Sequence, residues 1–261
     1  MAGPKAAERG VRQKQKSGPP RPPVPGRWAR RRMLIILLLA VVLASGGVIW
    51  LLYGSSWLRV ERVTVSGTRV LTPAQVRTAA GVRTGTPLAS LDTDAIEARL
   101  RRKLPRVDTV EAIRSWPHGI TLNVTERTPV LLLASGGRFV EVDREGVRFA
   151  TVAHAPEGVP VLEWALPRAG GPRRFGTGRL LREAVRVAEA VPTAVARDTR
   201  TVKVRSYDSI SLQLRGGRSV MWGSGEKGKA KAVTLAALMK AAPDARHFDV
   251  SVPTSPASSG S

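Results

Sequence analysis

Hydrophobic positions change their pattern several times along the chain. Met33–Tyr53 (MLIILLLAVVLASGGVIWLLY) is an apolar run of 21 residues without a charge. At 1.5 Å of rise per helical residue it reaches roughly 31 Å, the thickness of a bilayer's hydrocarbon core, and predicts one transmembrane helix. Beyond it the periods shorten. In Val60–Ser66, Val63 and Val65 alternate with polar neighbours, which predicts a strand closed by Gly67. Thr72, Pro73 and Gln75 supply an N-cap, a proline at the first helical position and the third member of a capping box, so a short helix runs to Ala80 and stops at Gly81. Asp92 to Asp94 cap a second helix in which Ile96 and Leu100 share a face, Arg99, Arg101, Arg102 and Lys103 suit the C-terminal end, and Pro105 ends the pattern. Two strands follow, Val107–Trp116 and Gly119–Arg127, joined by a tight turn at Pro117 and His118. Ile120, Leu122 and Val124 alternate there with Thr121, Asn123 and Thr125, giving one buried and one wet face. The order β-α-α-β-β makes a small domain over residues 58–128.

Farther on, Leu180–Ala190 carries Leu181, Ala184, Val185 and Ala188 at helical spacing and is stopped by Pro192. Thr201–Arg205, Ile210–Arg215 and Arg218–Trp222 read as strands, the last two joined at Gly216 and Gly217. Lys229–Ala241 reads as a helix, and His247–Val252 as a closing strand in which Phe248, Val250 and Val252 alternate with polar residues. Trp164 and Trp222 are expected in the core. The fold class is therefore α+β: an N-terminal span at residues 33–53, the small domain, and a mixed α/β second domain over residues 129–253 with an antiparallel-rich sheet. The Ser-rich stretch 254–261 has nothing to bury and is expected to be a flexible tail.

Charge orients this arrangement. Residues 1–32 hold ten Lys or Arg against Glu8 alone, and Arg30, Arg31 and Arg32 abut the span. The positive-inside rule keeps this flank in the cytoplasm and puts the later domains outside it. The leader is rich in Pro, Gly, Lys and Arg and is expected to be a disordered tail. A cleaved signal peptide with its site near Ser45 is the competing reading, opposed by the long basic leader and by the apolar run resuming at Val48–Tyr53. Trp50, Tyr53 and Trp57 fit an aromatic belt. The absence of cysteine removes any disulfide framework from an exported fold and leaves burial to stabilise it. Of the net charge of +22, the leader's +9 leaves +13 on the remaining residues, dispersed among acids without a basic helix or stacking aromatics. That pattern suits anionic headgroups or acidic wall polymer better than nucleic acid.

Candidate chemistry is thin. Gly223–Ala230 (GSGEKGKA) nearly spells a phosphate-binding loop, but Ala230 stands where Mg²⁺ binding needs Ser or Thr, so it reads as a hairpin-to-helix loop with a solvated lysine pair. His118, His154 and His247 are scattered without metal-ligand spacing. Glu141, Asp143 and Glu145 are expected to form a solvated face rather than a carboxylate pair for glycoside cleavage. No catalytic residue, cofactor or metal is expected.

Several elements resemble a known family. A strand ERVTVSG just after the span, a later LPRV, the turn at Trp116 and Pro117, and ITLNVTERTPV containing Glu126, Arg127 and Pro129 resemble the POTRA domain of the bacterial cell-division family FtsQ, called DivIB in many Gram-positive bacteria. Strands at Val130–Ala134, Phe139–Asp143, Gly146–Phe149 and Gly158–Leu162, with the Asp143–Val147 turn (DREGV), match that family's second domain. The resemblance implies a bitopic scaffold of the division machinery at the septal cell membrane. It implies binding of small FtsB-like (DivIC-like) and FtsL-like membrane proteins and control of septal peptidoglycan synthesis, with no nucleic acid and no small-molecule substrate. It also implies that partners add to the C-terminal strand, here Phe248, Val250, Ser251 and Val252. A POTRA-containing envelope assembly or secretion factor and a secreted wall-associated protein are the alternatives.

Overall fold

The computed structural model describes residues 27–54, 56–165 and 176–260. The described residues fall into two compact units, the first ending at Gly54 and the second beginning at Ser56. The first is a single helix, α1 (Arg27–Ile49), continued by a π-helical turn at Trp50–Gly54; its apolar candidate span is Arg30–Gly54. The helix therefore takes in Arg27–Arg32, which the sequence reading had assigned to the disordered tail, because Arg and Ala are good helix formers and no breaker separates them from Met33. The rest of that expected tail lies outside the described residues.

In the second unit the chain first builds a three-stranded sheet in the order β1-β3-β2. β1 (Arg62–Ser66) lies parallel to β3 (Gly119–Glu126), and β3 is antiparallel to β2 (Val107–Ser115). Helices α2 (Pro73–Ala80) and α3 (Thr93–Lys103) cover one face, in the predicted β-α-α-β-β order. The Thr72 hydroxyl accepts from Gln75 N while Thr72 N donates to Gln75 Oε1, and Gly81 ends α2 at φ 63°. Asp92 caps α3 through Ala95 N. The core between the layers is Val60, Val76, Leu88, Leu100, Ile120 and Leu122.

Residues from Leu131 onward form a nine-stranded sheet in the order β12-β11-β10-β9-β8-β7-β4-β5-β6. Its strands are β4 (Leu131–Ser135), β5 (Arg138–Val142), β6 (Arg148–Val152), β7 (Val161–Trp164), β8 (Thr199–Ser206), β9 (Ser209–Leu214), β10 (Ser219–Gly223), β11 (His247–Asp249) and β12 (Ala257–Ser259). Among the described residues of this sheet, only β4–β7, β7–β8 and β10–β11 pair in parallel. The sheet is therefore antiparallel-rich, as expected. Helix α4 (Thr177–Ala190) contributes Leu180, Leu181, Ala184, Val185 and Val187 to a core with Val202, Ile210, Leu212 and Trp222. Helix α6 (Gly228–Ala241) adds Leu235. Among the α-helices and strands, the sequence pattern does not show α5 (Thr193–Asp198), a short helix behind Pro192, or β12, which lies in the stretch expected to be a flexible tail. Trp222 is fully buried as expected, whereas Trp164 at the end of β7 is 36% exposed.

Candidate functional site

The C-terminal strand was expected to be an edge with free main-chain groups, and the structure places it one strand inside. β11 pairs in parallel with β10, with Phe248 opposite Val220, and antiparallel with β12, with Phe248 opposite Ser258. Phe248 and Val250 are accordingly buried in the core. Ser251 follows the strand in a turn, where the Asp249 carboxylate accepts both its N–H at 2.9 Å and its hydroxyl at 2.7 Å. Val252 is exposed and belongs to no strand. Of the four expected partner-contacting residues, two therefore fill the core and two belong to the exit turn.

The actual edge is β12. Ala257, Ser258 and Ser259 are all exposed, and among the described residues no strand pairs with the outer side of β12. At that end of the ladder Arg246 N donates to both Gly260 O at 2.8 Å and Ser259 O at 3.2 Å. Ser219 N donates to Arg246 O and Val250 N to Met221 O, so Phe248, in phase with both, turns its main-chain groups to β10. His247–Ser259 and Asp249–Ala257 are then the hydrogen-bonded pairs of the last ladder, and Ser258 turns its main-chain groups outward. The strand is held almost wholly by main-chain bonds, since it has no buried side chain. Beside it the helix-free face of the sheet forms an open groove of about 450 Å³ lined by Arg205, Ser211, Gln213, Ser219, Met221 and His247. Ser219 Oγ and His247 Nδ1 lie 2.8 Å apart on its floor.

Glu126, Arg127 and Pro129 occupy the joint between the two domains. The Glu126 carboxylate accepts from the N–H groups of Arg69, Val70 and Leu71 at 2.8 to 3.1 Å and so pins the chain entering α2. Burial tends to raise its pKa, but those three donors and the charge of Arg106 outweigh it and hold the carboxyl below its ordinary value of 4.5. Arg127 N donates to Arg106 O, so both guanidinium groups leave the same end of the β2–β3 hairpin. Arg106 pairs with Glu141 and lies over the Phe149 ring at 5.2 Å. Arg127 pairs with Asp143 and stands 3.3 Å from Asp108. Glu141 and Asp143 are 3% and 2% exposed, so the expected solvated face is realised by Glu145 alone. Two arginines from the neighbouring domain make burial of these acids tolerable, and a strand's period cannot reveal such partners. Asp143 also accepts from the N–H groups of Glu145 and Val147, which explains the DREGV turn. Pro129 lines a small apolar cavity of about 140 Å³ with Ala188, Val191 and Ala196. Trp116, in the turn between β2 and β3, is 51% exposed. Arg30, Arg31 and Arg32 are exposed on α1.

The loop that nearly spells a phosphate site is turned inward. Gly225 N donates to the buried Glu183 carboxylate at 2.6 Å, and Arg186 pairs with the other oxygen at 2.9 Å. Lys231 Nζ donates to Trp222 O and Ser224 O at 2.9 and 2.8 Å. Burial lowers the Lys231 pKa from its ordinary value, while Glu226 and Glu183 oppose the shift. Lys227 and Lys229 are exposed, as expected of the lysine pair. The sequence reading missed Glu183 and Lys231. An acid on the apolar side of the α4 pattern was the available signal.

Residues 58–127 match the family model of the POTRA domain, FtsQ-type. Over 268 aligned positions the chain is 67% identical to the cell division protein FtsQ of Streptomyces collinus, with 100% of each chain covered. It is 64% identical to the cell division protein FtsQ of Streptomyces coelicolor over 270 positions, again covering 100% of both. Among solved structures, the major extracytoplasmic domain of the cell division protein DivIB from Geobacillus stearothermophilus is a distant likeness. It gives a TM-score of 0.33 and 17% identity over 45% of this chain and 94% of that one.

Proposed function

The chain belongs to the FtsQ family of cell division proteins, and on that premise we propose that it is a bitopic, non-enzymatic scaffold of the division machinery whose β12 edge receives its partners. Its basic leader lies in the cytoplasm, α1 crosses the cell membrane once, and the POTRA and second domains face the outside at the septum. The partners are FtsB-like (DivIC-like) and FtsL-like membrane proteins, and their capture helps license septal peptidoglycan synthesis. The protein acts by binding and turns nothing over.

The observation that carries this reading is the exposed outer side of β12, unpaired among the described residues, at the rim of a nine-stranded sheet. An extended segment laid there gains main-chain bonds from Ser258, while alternate side chains reach the adjoining groove for selectivity. The test is Ser258→Pro, which removes the outward N–H and leaves the His247–Ser259 and Asp249–Ala257 bonds intact. The folded variant captures less of the FtsB-like and FtsL-like proteins from cells than the unaltered chain does. Equal capture by a normally folded variant overturns the proposal.

A further inference from the structure

The small domain carries an aromatic surface that partner capture at β12 does not use. The Trp57 ring meets the His118 ring edge-on, with centroids 6.3 Å apart. The His118 carbonyl accepts from Glu61 N at 2.8 Å and from Arg62 N at 3.2 Å, so the segment following Trp57 is bonded along the turn that holds Trp116 and Pro117. Both tryptophans are largely open to solvent, Trp57 at 62% and Trp116 at 51%, in a domain whose other large apolar side chains mostly fill its core. Exposing two indoles is unfavourable in water and favourable at a headgroup layer, where the ring body meets acyl chain and the N–H meets water.

Chain connectivity selects the occupant of this surface. Trp57 comes three residues after Gly54, where the apolar helix ends. Three residues extend at most about 11 Å. A headgroup layer is roughly 5–8 Å deep. Even fully extended, that reach leaves the Trp57 backbone only a few ångströms past the headgroup layer, a gap its indole spans, and the turn bonded beside it is carried along.

We propose that Trp57 and the Trp116–His118 turn form a membrane-interface surface by which the POTRA domain lies on the outer face of the lipid bilayer. The indole of Trp116 seats in the headgroup layer, and Arg62, exposed at the start of β1, faces lipid phosphates. The surface fixes the domain's height and tilt over the membrane without any protein partner.

The absence of cysteine makes a direct test available. The full chain is reconstituted into vesicles of phosphatidylglycerol and phosphatidylethanolamine with a nitroxide at Trp116→Cys or at Val233→Cys, an exposed position on α6. The expected result is a lower ratio of nickel-chelate to oxygen collisions at 116 than at 233. The same ratio at both positions overturns the proposal and leaves the tryptophans to a protein partner, which these vesicles lack. Should Trp116→Cys not fold, Trp116→Phe keeps the question open to measurement. Brominated lipid then quenches less fluorescence in the variant than in the unaltered chain, and identical quenching overturns the proposal.

Discussion

Phe248 stands opposite Ser258 across the last ladder of the sheet, one side chain buried in the core and the other open to solvent. That asymmetry separates the fold's requirement from the partner's. Phe248→Ala is expected to cost about 3 to 5 kcal/mol by leaving a cavity under β11. Val252→Ala, at an exposed position outside any strand, is expected to cost under about 0.5 kcal/mol. Denaturant unfolding of the full chain in detergent compares them, and equal losses contradict the burial pattern.

The joint between the domains rests on buried charge. Arg127→Ala leaves Asp143 with its backbone donors but no cation, and the expected cost is roughly 2 to 3 kcal/mol, below the 3 to 5 typical of a fully buried pair because Arg127 keeps some access to water. Arg144→Ala, whose side chain is mostly exposed and whose ion pairs are screened by water, is expected to leave the unfolding curve unchanged. Unfolding curves of the two variants test the ranking.

Glu126 gives the joint a pH dependence of known sign. Its carboxyl is held below the ordinary value of 4.5 in the folded chain, so the unfolded chain binds the proton first. Its contribution is fully present above that ordinary value and is lost as pH falls through the lowered one. Glu126→Gln should therefore flatten the loss of stability with falling pH in that acid window and leave the slope at neutral pH alone. A variant whose acid slope matches that of the unaltered chain contradicts the role given to the three N–H donors of Arg69, Val70 and Leu71.

How much of this was readable in the sequence depended on the range of each interaction. The Thr72 capping box, the Gly81 stop, the Asp92 cap and the Ile120-Leu122-Val124 alternation are set by neighbours a few residues away, and they appear as expected. Glu141 and Asp143 looked solvated because Arg106 and Arg127 lie 35 and 16 positions earlier, and pairing across a joint leaves no trace in a local period. β12 looked like a tail because a strand held by main-chain bonds needs no apolar residue, so Ala257-Ser258-Ser259 carries no hydrophobic signal. The same cause put the candidate edge one strand too far inside, at Phe248 and Val250.

Glu183 is a comparable case. Its carboxylate holds the N–H of Gly225 across 42 positions, and Glu183→Ala leaves that buried donor unpaired. The expected cost is about 1 to 3 kcal/mol. Glu226→Ala, on the exposed side of the same loop, is expected to cost under about 0.5 kcal/mol. Thermal unfolding of the two variants checks the difference, and a harmless Glu183→Ala would mean the loop is not held from α4.

The most direct test of partner capture at β12 is crosslinking in dividing cells. A photoreactive side chain is placed at Ser258 on β12 and, in a second strain, at Thr151 on β6, the opposite edge of the same sheet. Adducts with the FtsB-like and FtsL-like proteins are expected from Ser258 and none from Thr151. Adducts from Thr151 with a silent Ser258 would contradict capture at β12.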